Sequence, residues 1–133
     1  MTTRITSLVI CCAALTGCGG DAARFSFQAP HGWPVISARP PVTFAAVAPG
    51  GRGGVTVVET HVPPEITFRQ FARNETKMLA AATHARDVSA RETTFQKRRA
   101  LRVTYLLGRQ RVTQYFVRAG ELMHVVTYTF RLQ

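Results

Sequence analysis

The stretch ALRVTYLLGRQRVTQYFVRAGELMHVVTYTF, residues 100–130, decides the fold. Three runs within it, Ala100 to Leu107, Arg111 to Arg118 and Leu122 to Phe130, are rich in β-branched and aromatic residues and alternate apolar with polar positions, the pattern of strands with a buried face. Gly108-Arg109-Gln110 and Ala119-Gly120-Glu121 separate them. Loops this short join antiparallel neighbours, because a parallel pair needs a crossover of a dozen residues or more. The C-terminal third is therefore an antiparallel meander.

Pairing Leu107 with Arg111 across the first loop puts Leu101, Val103, Tyr105 and Leu107 on one face with Thr113, Tyr115 and Val117. The other face then carries Leu106, Val112, Phe116, Leu122, His124, Val126, Tyr128 and Phe130 beside Arg102 and Arg118, too apolar a patch to lie open to water. A cover is expected from the N-terminal segments, a partner or a second copy of the chain, which admits a homodimer. A one-residue slip in register would exchange the faces.

Val88 to Phe95 reads as another strand of the meander. Thr67 to Ala82 is the one helix: Pro63-Pro64 precede it, Thr67 and Gln70 have capping-box spacing, and Phe68, Phe71, Ala72, Met78, Leu79 and Ala82 recur at helical intervals. This helix is expected to cover the Leu101 face. Val42 to Val47 and Val55 to Val62 read as a hairpin around the turn-forming Pro49-Gly50-Gly51-Arg52-Gly53-Gly54. Alternation in Arg24 to Ala29 gives a further short strand with Phe25 and Phe27 on one side, ended by Pro30-His31-Gly32-Trp33-Pro34. The expected class is α+β, an antiparallel sheet meander with one main amphipathic helix packed on it.

The chain has 133 residues, of which 46% are apolar, the proportions of one globular domain. No apolar run reaches the roughly 18 residues of a membrane-spanning helix. The N-terminus instead has the layout of a secretory signal: Arg4, a short apolar stretch from Ile5 to Leu15, then small residues. It ends in Leu15-Thr16-Gly17-Cys18, which resembles the bacterial lipobox, and that resemblance implies cleavage before Cys18 with a diacylglycerol and acyl groups on its thiol and amine. The expected organisation is a signal peptide over 1–17, a lipidated tether over 18–23 and one domain over 24–133. All three cysteines, Cys11, Cys12 and Cys18, precede the domain, so it has no disulfide and no cysteine metal site.

Phe25-x-Phe27-x-x-Pro30-x-Gly32-Trp33, followed by strands, one amphipathic helix and a meander ending in an aromatic strand, resembles the PsbP-like group, which includes bacterial lipoproteins of the DcrB and LpqN type. The resemblance covers most of residues 24–130 and implies an α/β sandwich with a non-enzymatic role in binding or assembly. Members usually close the sheet with a C-terminal helix, for which this sequence has no residues left. The resemblance carries over no catalytic residue set.

The residues agree on chemistry. Ser26, Ser37 and Ser89 have no nucleophile elbow around them. Among the acids only Glu59, inside a strand, is worth watching, and a solvent-facing or arginine-paired carboxylate is its ordinary explanation. His31, His61, His84 and His124 lack close ligand spacing, so no metal is expected. The reading is of a non-enzymatic protein with no cofactor beyond the lipid on Cys18.

Charge is the remaining functional signal: 17 Lys and Arg against 7 Asp and Glu give a net +10. Lys97, Arg98 and Arg99 open one strand and Arg118 ends its neighbour, so the four should gather at one end of the sheet, with Arg109 and Arg111 at the other. Such fields favour anionic partners, whether phospholipid head groups, envelope polyanions or an acidic protein. Export argues against nucleic acid. The expected function is a cell-envelope lipoprotein, anchored through Cys18 and placed on the periplasmic side of the outer membrane if the cell has two membranes. It would bind a protein or anionic envelope component through those cations and a sheet surface around Phe116, His124 and Tyr128. An immunity or inhibitor protein against an envelope-acting effector is the alternative.

Overall fold

The computed structural model describes residues 25–133; the signal, lipidation and tether readings fall outside them. Six strands, β1 (Val42–Val47), β2 (Gly53–His61), β3 (Arg86–Phe95), β4 (Arg98–Leu107), β5 (Gln110–Ala119) and β6 (Leu122–Arg131), form one antiparallel sheet in the order β1-β2-β6-β5-β4-β3. One helix, α1 (Phe68–Thr83), lies between β2 and β3 in sequence. The expected hairpin is β1–β2 and the expected meander is β3 to β6. The pairing of β2 with β6, from Gly53↔Phe130 to His61↔Leu122, joins the two into a single sheet.

The loops between strands set the register. Leu107 pairs with Gln110, not Arg111, so Gly108 and Arg109 alone make the turn. Gly108 has φ +61°, the positive value that a hairpin turn of type II′ requires at its first central position. Ala119 and Leu122 flank Gly120-Glu121 in the same way, with Gly120 at φ +66°. The one-residue difference turns β5 over. Val112, Phe116 and Arg118 move to the face of Leu101, Val103 and Tyr105, while Tyr115 and Val117 join His124, Val126 and Tyr128.

Each face therefore has its own core. On the helix side, Val62, Ala72, Leu101, Val103, Tyr105, Val112, Phe116 and Met123 pack together, with Phe71 of α1 edge-on to Phe116 at 6.0 Å. Thr67 and Gln70 form the anticipated capping box: the Thr67 hydroxyl accepts from the Gln70 amide, and the Gln70 side chain accepts from the Thr67 amide. Two otherwise orphaned helix N–H groups are satisfied this way.

On the opposite face, Val55, Val57, Ala100, Val117 and Val126 are covered by the segment that begins at Phe25. This segment is not a strand. Phe25 and Phe27 do point together into the sheet, as alternation suggests, yet Pro30, Gly32 and Pro34 follow too soon for a ladder. A side chain stands in for the missing strand neighbour: Gln96 accepts from the Gln28 amide at 3.0 Å and donates to the Ser26 carbonyl at 2.8 Å. The Trp33 amide donates to the Pro30 carbonyl around Gly32 at φ +83°, so the Pro-x-Gly-Trp motif is a turn whose third residue needs glycine. It delivers Trp33 edge-on to Tyr128 and Phe130, at 6.3 and 5.9 Å.

Candidate functional site

The expected contact surface around Phe116, His124 and Tyr128 does not form. Phe116 lies beneath α1 and His124 beneath Phe25 on the opposite face, and both are buried, at 2% and 4% exposure. Tyr128 shares the face of His124 but packs among Phe27, Trp33 and Tyr115. The inverted β5 register is the cause, together with the chain's own N-terminal cover.

The four cations expected at one end do gather there. Arg98, Arg99 and Arg118 line a depression of about 400 Å³ with Phe68 and Gly120, and Lys97 occupies the adjacent β3–β4 turn. Their roles differ. Arg118 donates to the carbonyls of Ile66 at 2.7 Å, Pro63 at 3.4 Å and Gly120 at 3.0 Å, which ties the loop before α1 to the end of the sheet. Arg99 reaches both oxygens of Glu92 at 3.3 Å and lies 5.8 Å from the centre of the Phe68 ring. At the other end, Arg109 is in the β4–β5 turn and Arg111 is exposed beside it. Arg52 and Arg131 join them, since the Arg131 amide donates to the Arg52 carbonyl and the Leu132 amide to that of Arg109.

A depression larger than this one lies elsewhere. A groove of about 490 Å³ runs between α1 and the β3 side of the sheet, lined by Arg69, Arg73, Thr76, Lys77, Ala90, Arg91, Glu92 and Leu101. Arg69, Arg73 and Lys77 recur every four residues and so form one wall from one helix face. Leu101 and Ala90 supply apolar contact. Glu92 is the one acid in the groove, and it is paired with both Arg69 and Arg99. The spacing of these helix cations is visible in the sequence, but which face they occupy depends on how α1 sits on the sheet. The volume and the mix of apolar contact with a few charged groups suit a ligand or an inserted side chain.

Glu59 has a partner other than arginine. It lies directly opposite His124 across the β2–β6 pair, with Nδ1 and Oε2 3.7 Å apart, beyond a hydrogen bond. Burial pushes the His124 imidazole below its ordinary pKa, Glu59 opposes that shift and Arg98 adds to it. Nε2 of His124 is buried with no hydrogen-bond partner. His31, His61 and His84 do not join this pair, and among the described residues no three His, Cys, Asp or Glu side chains are grouped to hold a metal. No described helix is long and apolar enough to cross a membrane.

The solution structure of the cyanobacterial PsbP protein CyanoP from Synechocystis sp. PCC 6803 superposes with a TM-score of 0.57 at 13% identity, over 80% of this chain and 74% of that one. The fold is PsbP-like. Among the described residues the sheet carries one α-helix on one face and the aromatic segment on the other. No family model and no curated protein sequence matches the chain.

Proposed function

We propose that this protein is a non-enzymatic cell-envelope lipoprotein, anchored through Cys18, whose PsbP-like domain binds an anionic partner, either a protein or an envelope component. The observation that carries the binding reading is the groove between α1 and β3, where Arg69, Arg73 and Lys77 line one wall and a single acid faces them. The basic balance of the whole chain, net +10, would steer an anionic partner toward it. The cations at the two sheet ends add to the same field, with Arg118 held mainly in a structural role. The anchor reading rests on the signal layout and on Leu15-Thr16-Gly17-Cys18.

Two measurements test this. Cys18→Ala should move the protein from the membrane to the soluble exported fraction with the domain still folded; unchanged membrane retention would remove the anchor. The full chain should bind polyglutamate or phosphatidylglycerol vesicles in low salt and release them as salt rises. Equal binding to neutral polymer or neutral vesicles would remove the anionic partner.

A further inference from the structure

The two edges of the sheet are treated differently. Along β1 the chain closes its own edge: Val35 bridges to Ala46, the Ile36 amide donates to the Ala45 carbonyl at 2.9 Å, and the Val47 amide donates to the Pro34 carbonyl at 2.9 Å. Along β3, among the described residues, nothing pairs with the outer side of the strand. Eight of its ten residues are exposed and it contains no proline. An irregularity between Arg86 and Ser89 disturbs only its start; from Ser89↔Thr104 to Phe95↔Arg98 it runs in regular register. An exposed, regular edge of this length presents a row of unpaired N–H and C=O groups, a template for another strand.

We propose that this edge accepts an acidic, extended segment of a partner protein as an added strand beside β3. The inference rests on the anionic-partner reading above and specifies its form. Charge selects the occupant. On the helix side the edge is flanked by Arg69, Arg73 and Lys77; on the other side Arg91 and Arg102 face each other across β3–β4. Glu92, the acid within the groove, is already engaged by Arg69 and Arg99. An added strand projects alternate side chains to both faces, so it can offer carboxylates to both sets of cations and lay an apolar side chain against Leu101 and Ala90 in the groove. A second copy pairing through the same edge would bring two such cation sets together. Residues 1–24 do not match either, with Asp21 as the one acid against Arg4 and Arg24.

The test uses the full chain and a blocked peptide of alternating glutamate and valine, followed by fluorescence anisotropy in low salt and by amide hydrogen exchange. Exchange should slow at amides within Ser89–Phe95. A peptide N-methylated at alternate residues, with the same charges but without half of its edge hydrogen bonds, should bind at least about tenfold more weakly, since one net hydrogen bond is worth about that factor. The chain with Arg73→Glu and Lys77→Glu together should lose binding to a similar degree. Equal affinity for both peptides, or protection elsewhere on the molecule, would overturn the strand-addition proposal. Binding to phosphatidylglycerol vesicles but not to the peptide would overturn it while leaving the anionic-partner reading intact; binding to neither would remove both.

Discussion

The two halves of the sheet's far face are built from the same strands and differ in what covers them. Toward β1, Phe25, Phe27 and Trp33 lie over Phe44 and Tyr128, with Ala46, Val55 and Val57 beneath. Toward β3, beyond the Phe95–Tyr115 ring pair at 4.5 Å, the rows carry Ser89, Thr104 and Thr113, then Arg91 and Arg102. Where the chain supplies its own cover the residues are aromatic and small aliphatic; where it supplies none, among the described residues, they are hydroxyls and guanidinium groups. Burial of apolar area stabilises the first half, at about 25 cal/mol per Å². The second half leaves Arg91 exposed to water and Arg102 half-buried beside it.

The largest expected effect comes from breaking the aromatic cover. Phe25 is 9% exposed and contacts both Phe95 and His124, so Phe25→Ala should cost about 3 kcal/mol in chemical denaturation, the usual range for a buried phenylalanine. Arg91→Glu, exposed on β3 in the uncovered half, should leave stability within about 0.5 kcal/mol. Equal losses from the two would erase the distinction between the halves.

The seam between β2 and β6 leaves no room for a side chain at Gly53. A Cβ on Gly53 would stand 2.5 Å from the Thr129 carbonyl oxygen and 2.6 Å from the Phe130 ring, so Gly53→Ala must push β6 or the ring aside. A loss of about 2 kcal/mol is expected, in the range for overpacking. An unchanged denaturation midpoint would show that the seam can yield.

His124 makes the covered half sensitive to pH. Burial lowers its pKa in the folded state, so the folded protein takes up this proton less readily than the unfolded chain does. Its contribution to stability is therefore complete above the unfolded value near 6.5 and declines as pH falls below it, levelling off once the folded pKa is passed. Thermal unfolding of the parent chain should weaken over that range, and His124→Phe should weaken less. Identical pH profiles would deny the histidine that role.

The smallest effect lies in the β3–β4 turn, where Gln96 and Lys97 adopt φ of +49° and +68°. Gln96 has a reason to be there, since its amide clamps Ser26 and Gln28. Lys97→Gly should raise stability by up to about 1 kcal/mol by relieving a left-handed conformation.

Much of this was legible in the sequence. The capping residues Thr67 and Gln70 and the spacing of Phe68, Phe71 and Ala72 identify α1, because helix periodicity and caps are local signals. β1 over Val42 to Val47 and the four C-terminal strands follow from alternation. The face of β5 did not follow: Gly108-Arg109-Gln110 fits either a two-residue or a three-residue loop, and the choice inverts Phe116 and Tyr115. Nor did the β2–β6 pairing, which joins Gly53 to Phe130 across a long sequence separation. The cations of Lys97 to Arg99 were visible as a run, but the groove wall of Arg69, Arg73 and Lys77 acquires meaning only when α1 is set against Ala90 and Leu101.

The central claim is that the helix-side cations form the anion-binding surface while the aromatic half maintains the fold. The most direct measurement is the salt-dependent affinity of the full chain for polyglutamate, compared among the parent, Arg73→Glu with Lys77→Glu, and Arg109→Glu with Arg111→Glu at the far end of the sheet. The account predicts a loss of about tenfold or more for the helix pair, roughly 1.4 kcal/mol, and a much smaller loss for the far pair. Equal losses in the two double variants would contradict it, because the chain would then act through net charge alone.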